Sequence, residues 1–283
     1  MRRILKMMDG WMFTGQSGKK EAVDLPHTWN ATDGQDGGND YYRGTCIYEK
    51  IFMKPQFEAE ERVYLQFQGV NASAKVILNG KKICTHDNGY STFRADITDV
   101  LENENTLKVE VDNSVNDRVY PQKADFTFYG GIYRDVELVI VADKHFAMDY
   151  YGGPGIRVDA EVEGNRGIVY VKAYTNIADS EVDKCKVIAR VLDADGNVVG
   201  EAEGRPVESA EERRTKIKEP QSYDAVIELE NARLWNGVKD PYLYTVQATL
   251  VKSGKEVDMV SCKCGIRTFA FDPDKGFKFS LRK

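Results

Sequence analysis

Apolar residues recur at every second position through most of this chain, the spacing of strands with one face buried. Trp11 and Phe13 flank Met12 in a short strand, and Cys46, Tyr48 and Ile51 lead to Pro55 in a longer one. Val63, Leu65 and Phe67 alternate with polar neighbours, as do Leu107, Val109 and Val111, and then Val136, Leu138 and Ile140. Asn79-Gly80 falls between two such runs and predicts a two-residue hairpin turn. Helical spacing is almost absent; at most one turn fits Ile97 to Glu102. Eight or so strands in about 140 residues predict a jelly-roll-like β-sandwich.

Gly152, Gly153 and Pro154 break the pattern, and a second strand series follows. Val169, Val171 and Ala173 share one face, as do Val187, Ala189 and Val191 before the Asp195-Gly196 turn. Tyr242, Tyr244, Val246, Ala248 and Leu250 form a further row, and Ser253-Gly254 turns the chain into Val257–Phe271. The apolar-poor stretch Glu201–Pro220 reads as an exposed loop or edge. About seven strands here fit an immunoglobulin-like sandwich. The predicted class is therefore all-β, a jelly-roll-like β-sandwich (1–145) followed by an immunoglobulin-like β-sandwich (146–267), with a short segment 268–283 beyond. A length of 283 residues suits two domains.

Charge and cysteine usage narrow the partners. Against 39 Lys and Arg stand 45 Asp and Glu, a net charge of −6, which argues against a nucleic-acid footprint. No apolar run is long enough to span a membrane. The N-terminal MRRILKMMDGWMF is interrupted by Lys6 and Asp9, so no signal peptide is expected. Five cysteines, an odd number, do not make a disulfide framework; Cys262 and Cys264 read as inward strand residues and the thiols as reduced. The expected location is the cytoplasm, where the sequons at Asn30 and Asn71 carry no meaning.

Metal sites are not expected. His86 and His145 have no companion at ligand spacing. The cluster Asp33, Asp36 and Asp40 fails the calcium-loop spacing, and Asp193, Asp195 and Asn197 fall in a hairpin turn. No cofactor is expected in this chain.

Three stretches stand apart from the strand pattern: DLPHTWN (Asp24–Asn30), DYYRG (Asp40–Gly44) and DFTFYGGIYRDV (Asp125–Val136). The first runs into a long loop rich in Gly, Asp and Asn, a length that is often functional. In the third, the paired Gly130-Gly131 permits positive φ and close backbone approach. Together these stretches resemble the sugar-binding N-terminal domain of glycoside hydrolase family 2, the β-galactosidases, β-glucuronidases and β-mannosidases. ARLWNGVKDPYLY (Ala232–Tyr244) and CGIRTFAF (Cys264–Phe271) resemble the end of that family's second domain. Trp29 and His27 read either as groups that stack on or bond a sugar ring or, the favoured reading, as a packed corner against a neighbouring barrel, Trp11 and Trp235 as core, and Tyr129, Tyr133 and Arg134 as structural.

The resemblance implies an intact retaining β-galactosidase acting on terminal β-glycosides, with β-glucuronidase and β-mannosidase open. It implies that 268–283 leads into a catalytic (β/α)8 barrel of the same polypeptide. The two catalytic glutamates belong to that barrel, so this chain alone is expected to be inactive. By the same resemblance, loops of the first domain lend residues to the sugar-pocket rim: Asp40, Tyr41, Tyr42, Arg43, Asn113 and Asp125. A homo-oligomer is compatible with it. A second reading from another class is a non-catalytic carbohydrate-binding protein of tandem sandwiches.

Overall fold

A computed structural model describes residues 1–31, 42–121, 128–207, 220–274 and 276–280. The chain divides into two compact units, Arg3–Val141 and a second made of Met1–Arg2 with Ala142–Lys283.

The Arg3–Val141 unit holds β1 (Arg3–Lys6), β2 (Trp11–Thr14), β3 (Lys20–Val23), β4 (Thr45–Met53), β5 (Glu61–Phe67), β6 (Ser73–Leu78), β7 (Lys81–Asp87), β8 (Phe93–Asp96), β9 (Glu104–Asp112) and β10 (Val136–Ala142). A six-stranded sheet in the order β3-β2-β4-β9-β6-β7 faces a four-stranded sheet, β1-β10-β5-β8. Their pairings are antiparallel. The core between them joins Trp11, Phe13, Tyr48, Val76, Leu107 and Val109 to Val63, Leu65, Phe67, Leu138 and Ile140.

Alternation set these faces because a strand points successive side chains to opposite sides. Cys46 and Tyr48 are buried as their row requires, but Ile51 is odd-numbered, lies on the outer face and is 65% exposed. The three-residue step from Tyr48 to Ile51 changes face, which corrects the expected grouping. β10 departs from simple alternation too: Glu137, Val139 and Val141 are buried along with Val136, Leu138 and Ile140.

The second unit holds β11 (Ile156–Glu163), β12 (Arg166–Thr175), β13 (Cys185–Leu192), β14 (Val198–Glu203), β15 (Arg205–Val207), β16 (Gln221–Glu230), β17 (Tyr244–Lys252), β18 (Lys255–Cys264), β19 (Thr268–Asp272) and β20 (Gly276–Ser280). Sheets β11-β12-β16-β15 and β14-β13-β17-β18 enclose the core, and β19 pairs with β20. The polar stretch after Glu201 supplies the end of β14 and all of β15, each an edge strand of its sheet. Trp235 is half-buried, with the Arg267 guanidinium 4.7 Å over its ring, so it caps the core instead of filling it. No helix among the described residues is long and apolar enough to cross a membrane.

This unit is fastened by a buried ion pair. Asp258 is fully buried, and its carboxylate accepts from Arg2 Nε at 3.1 Å, Arg2 Nη2 at 2.8 Å and the Phe146 amide at 2.9 Å. The Met259 amide adds a fourth donor at 2.9 Å. Removing one partner leaves a buried charge unpaired. Arg2→Met is expected to cost about 3–5 kcal/mol, read as a lower midpoint in urea unfolding; an unchanged midpoint would show the pair contributes nothing.

Candidate functional site

The Gly-Gly turn carries the local geometry of the first unit. Gly131 has φ of 137°, a conformation that excludes ordinary side chains, and a β-carbon there would meet the His27 carbonyl at 2.5 Å. At Gly130 a β-carbon would lie 2.2 Å from Trp29 Cζ2 and 2.6 Å from Asn113 Nδ2. The two glycines thus let the indole and the Asn113 amide lie against the backbone.

Around this turn the backbone groups are paired. The His27 amide donates to the Ile132 carbonyl at 2.8 Å and the Trp29 amide to the Gly130 carbonyl at 3.3 Å. On the other side, Asn71 and Gly131 exchange amide–carbonyl bonds at 3.0 and 3.2 Å. Asn30, fully buried, accepts the Gly130 amide at 2.8 Å through Oδ1 and donates to the Phe128 carbonyl at 3.3 Å. Asn71 Nδ2 donates to the Tyr129 carbonyl at 2.8 Å. The two sequon asparagines are therefore internal braces. An amide can satisfy a backbone donor and acceptor together, but the groups these two reach come from distant segments, so no local signal marked them.

The rim residues divide. Asp40, Tyr41 and Asp125 lie outside the described residues. Tyr42, Arg43 and Asn113 come together: Arg43 Nε donates to the Asn113 carbonyl at 3.0 Å, and the Gly44 amide to Asn113 Oδ1 at 2.9 Å. Asn113 Nδ2 reaches the Tyr42 carbonyl at 3.5 Å, and Trp29 Nε1 reaches the same oxygen at 3.3 Å. With 1% exposure, Asn113 works as a brace that carries the 42–44 segment.

Tyr42 is half-buried and, with Phe13, Trp29, Cys46, Lys19 and Glu21, lines a shallow pocket of about 340 Å³. Burial raises the pKa of the Tyr42 hydroxyl and of the Cys46 thiol, the latter to about 11, so both are neutral donors near neutral pH. Phe13 and Trp29 stack with centroids 6.2 Å apart. His27 sits 4.8 Å from Phe13 and places Nδ1 2.7 Å from the Tyr48 hydroxyl, so its ring packs within this unit. Such a surface offers an aromatic wall with hydroxyl, ammonium and carboxylate groups around it, a combination suited to a polyhydroxylated ligand.

Tyr133 and Arg134 hold the corner. The Tyr133 hydroxyl donates to the Gly89 carbonyl, and the Arg134 guanidinium lies 5.4 Å from the Tyr133 ring while bonding the Tyr90 carbonyl. Tyr129 is 45% exposed, its backbone oxygen taken by Asn71. Asp193 closes its hairpin by accepting the Asp195 and Asn197 amides at 2.9 and 2.8 Å.

Two carboxylates are buried among the described residues, Glu137 and Asp258. Each is occupied: Asp258 by Arg2 as above, and Glu137 by Lys6 at 2.6 Å with the Gln66 and Gln68 amides. No group of three or more His, Cys, Asp or Glu among the described residues is placed to hold a metal ion.

The family profile described as "Glycosyl hydrolase 2 galactose-binding domain-like" matches residues 39–148, and that of "Glycosyl hydrolases family 2" matches 154–267. A β-glucuronidase of Bacteroides fragilis is 35% identical over 98% of this chain and 39% of its own length. A β-galactosidase of Thermoanaerobacter pseudethanolicus is 28% identical over 95% of this chain and 34% of its own. Among solved structures, an FMN-binding β-glucuronidase from Facaelibacterium prausnitzii L2-6 is 36% identical, superposes with a TM-score of 0.86 and covers 100% of this chain and 42% of that one. The chain spans about two fifths of the length of these relatives.

The geometry makes two expectations. Gly130→Ala forces the indole or the Asn113 amide away, so a loss of about 1–3 kcal/mol and a shifted Trp fluorescence spectrum are expected; unchanged stability and spectrum would contradict the close approach. Burial lowers the pKa of His27, His86 and His145 from the usual 6.5. Because the unfolded chain then takes up protons first, stability is full above about pH 6.5 and falls as pH drops through the window below it. Urea midpoints measured from about pH 7.5 to about pH 5 should fall, with a shallower slope in His27→Gln; equal slopes would remove His27 from the effect.

Proposed function

Given that this chain belongs to glycoside hydrolase family 2, we propose that it is the non-catalytic N-terminal region of a retaining β-glycosidase. In this reading the whole enzyme releases terminal β-linked glucuronic acid. The observation that carries it is the higher identity, over nearly all of the chain, to two relatives named as β-glucuronidases. The β-galactosidase expectation is the second reading, supported by the lower identity to a relative of that name.

Retaining hydrolysis needs two carboxyl groups about 5–5.5 Å apart, one attacking the anomeric carbon and one passing the proton. In this chain Glu137 and Asp258 are already neutralised by their own partners, which supports assigning the chemistry to a catalytic barrel elsewhere in the same polypeptide. The 42–44 segment braced by Asn113 would contribute to the rim of that sugar pocket, as the family resemblance also implies for Asp40, Tyr41 and Asp125. Flavin binding is the named property of one relative; the proposed hydrolysis runs on carboxyl groups and asks no cofactor of this chain.

The cysteines Cys46, Cys84, Cys185, Cys262 and Cys264 are all free thiols, which supports a reducing compartment such as the cytoplasm. Self-association in the intact enzyme belongs to the same proposal.

Aryl β-glucuronide and aryl β-galactoside turnover by the full-length enzyme tests the assignment. A higher kcat/KM on the glucuronide is expected, and a preference for the galactoside would transfer it to the second reading. The 283-residue chain alone should turn over neither substrate; activity that copurifies with it would overturn the non-catalytic role.

A further inference from the structure

Asparagine followed by glycine occurs three times in this chain, at 79–80, 88–89 and 236–237. Asparagine is chemically thermolabile, and a following glycine has no β-carbon to shield its backbone nitrogen from the asparagine side chain. The fold holds the three pairs differently. At Asn79 the side chain is fixed at both ends: Nδ2 donates to the Val100 carbonyl at 3.0 Å and to Asn105 Oδ1 at 2.9 Å, and Oδ1 accepts the Thr106 amide at 2.9 Å. At Asn88, Oδ1 accepts the Tyr90 amide at 3.0 Å, and Gly89 is buried with its carbonyl bonded by the Tyr133 hydroxyl. A β-carbon on Gly89 would meet Asn71 Oδ1 at 2.3 Å, so that backbone is confined.

Only the backbone of the third pair is tied. The Asn236 amide donates to the Asp240 carbonyl at 2.7 Å, and its carbonyl accepts the Lys239 amide at 3.2 Å. The Asn236 side chain and the Gly237 amide make no hydrogen bond among the described residues. Gly237 has φ of 55°, its β-position meets nothing nearer than 3.7 Å, and Val238 beyond it is 99% exposed.

We propose that Asn236 is a self-modification site, converted to aspartate and isoaspartate through a cyclic imide. The Gly237 nitrogen bonds to Asn236 Cγ, the Cγ–Nδ2 bond breaks, and the nitrogen's proton leaves with Nδ2 as ammonia. A water molecule then opens the ring, its hydroxyl going to a carbonyl carbon and its proton to the nitrogen. Opening at Cγ gives aspartate; opening at the main-chain carbonyl gives isoaspartate, with the backbone routed through the side chain. No oxidant or reductant enters. Isoaspartate lengthens the backbone inside the turn that sets Asp240 against Arg233, at 3.2 and 2.9 Å, and Arg233 over the Tyr242 ring. This chemistry is independent of the whole enzyme's substrate.

Trypsin separates the three pairs into the peptides Val76–Lys81, Ile83–Arg94 and Leu234–Lys239. The 283-residue chain is aged in mildly alkaline buffer, folded and in urea, and each peptide is scored by mass spectrometry for exchange of the amide NH2 by OH. In the folded chain Leu234–Lys239 should convert at least about tenfold faster than Val76–Lys81, where three hydrogen bonds must open first. In urea the three rates should converge, since the protection at Asn79 and Asn88 is tertiary. A folded-state rate at Asn79 or Asn88 equal to or above that at Asn236 would overturn the assignment. So would a Leu234–Lys239 peptide that converts only in urea.

Discussion

The indole of Trp29 occupies the space where a β-carbon of residue 130 would stand, and the first unit is built around that exclusion. With no side chain at 130, the His27–Trp29 segment lies directly on the 130–132 backbone and is bonded to it. Once the indole is seated, its Nε1 is aimed at the Tyr42 carbonyl, so the next loop inherits its position. Asn113, pressed against the same glycine, holds that loop from the end of β9. A change at one glycine therefore propagates to segments far apart in sequence, because close-packed groups cannot absorb an extra carbon without displacing a neighbour.

Buried amides do the work around that corner. Asn30, Asn71 and Asn113 each offer a donor and an acceptor, and each satisfies backbone groups in a segment that cannot join a sheet ladder. An unpaired buried amide costs about 1–3 kcal/mol, so three of them at one corner fix its shape through what their loss would leave unsatisfied. Charged groups play the corresponding part elsewhere. Asp258 gathers four donors into the second unit, and Glu137 ties Lys6 to the glutamines of β5 and its exit.

That use of carboxylates bears on function. A catalytic acid must keep an open face toward substrate and a pKa matched to proton transfer. A carboxylate enclosed by a guanidinium and backbone amides, as Asp258 is, has no such open face. The Trp29–Tyr42 pocket of the first unit is instead aromatic and amphoteric. That pocket pairs a flat apolar surface with groups able to match hydroxyls.

Strand positions, the two-sandwich class and the family were legible in the sequence because each rests on local information. Period-two alternation reports which side of a strand is wet, and turn residues such as Asn79-Gly80 and Asp195-Gly196 carry their backbone preference with them. The Gly-Gly corner was legible for the same reason, and Gly131 does take the positive φ that it permits. Local spacing misled at Ile51, where an odd step changes the face, and at Trp235, whose ring ends at the rim of its core. The braces Asn30 and Asn71 and the paired states of Glu137 and Asp258 were decided by tertiary structure alone. Each depends on partners brought from distant segments, and a single chain pattern carries no record of which distant group will arrive to satisfy a buried polar atom.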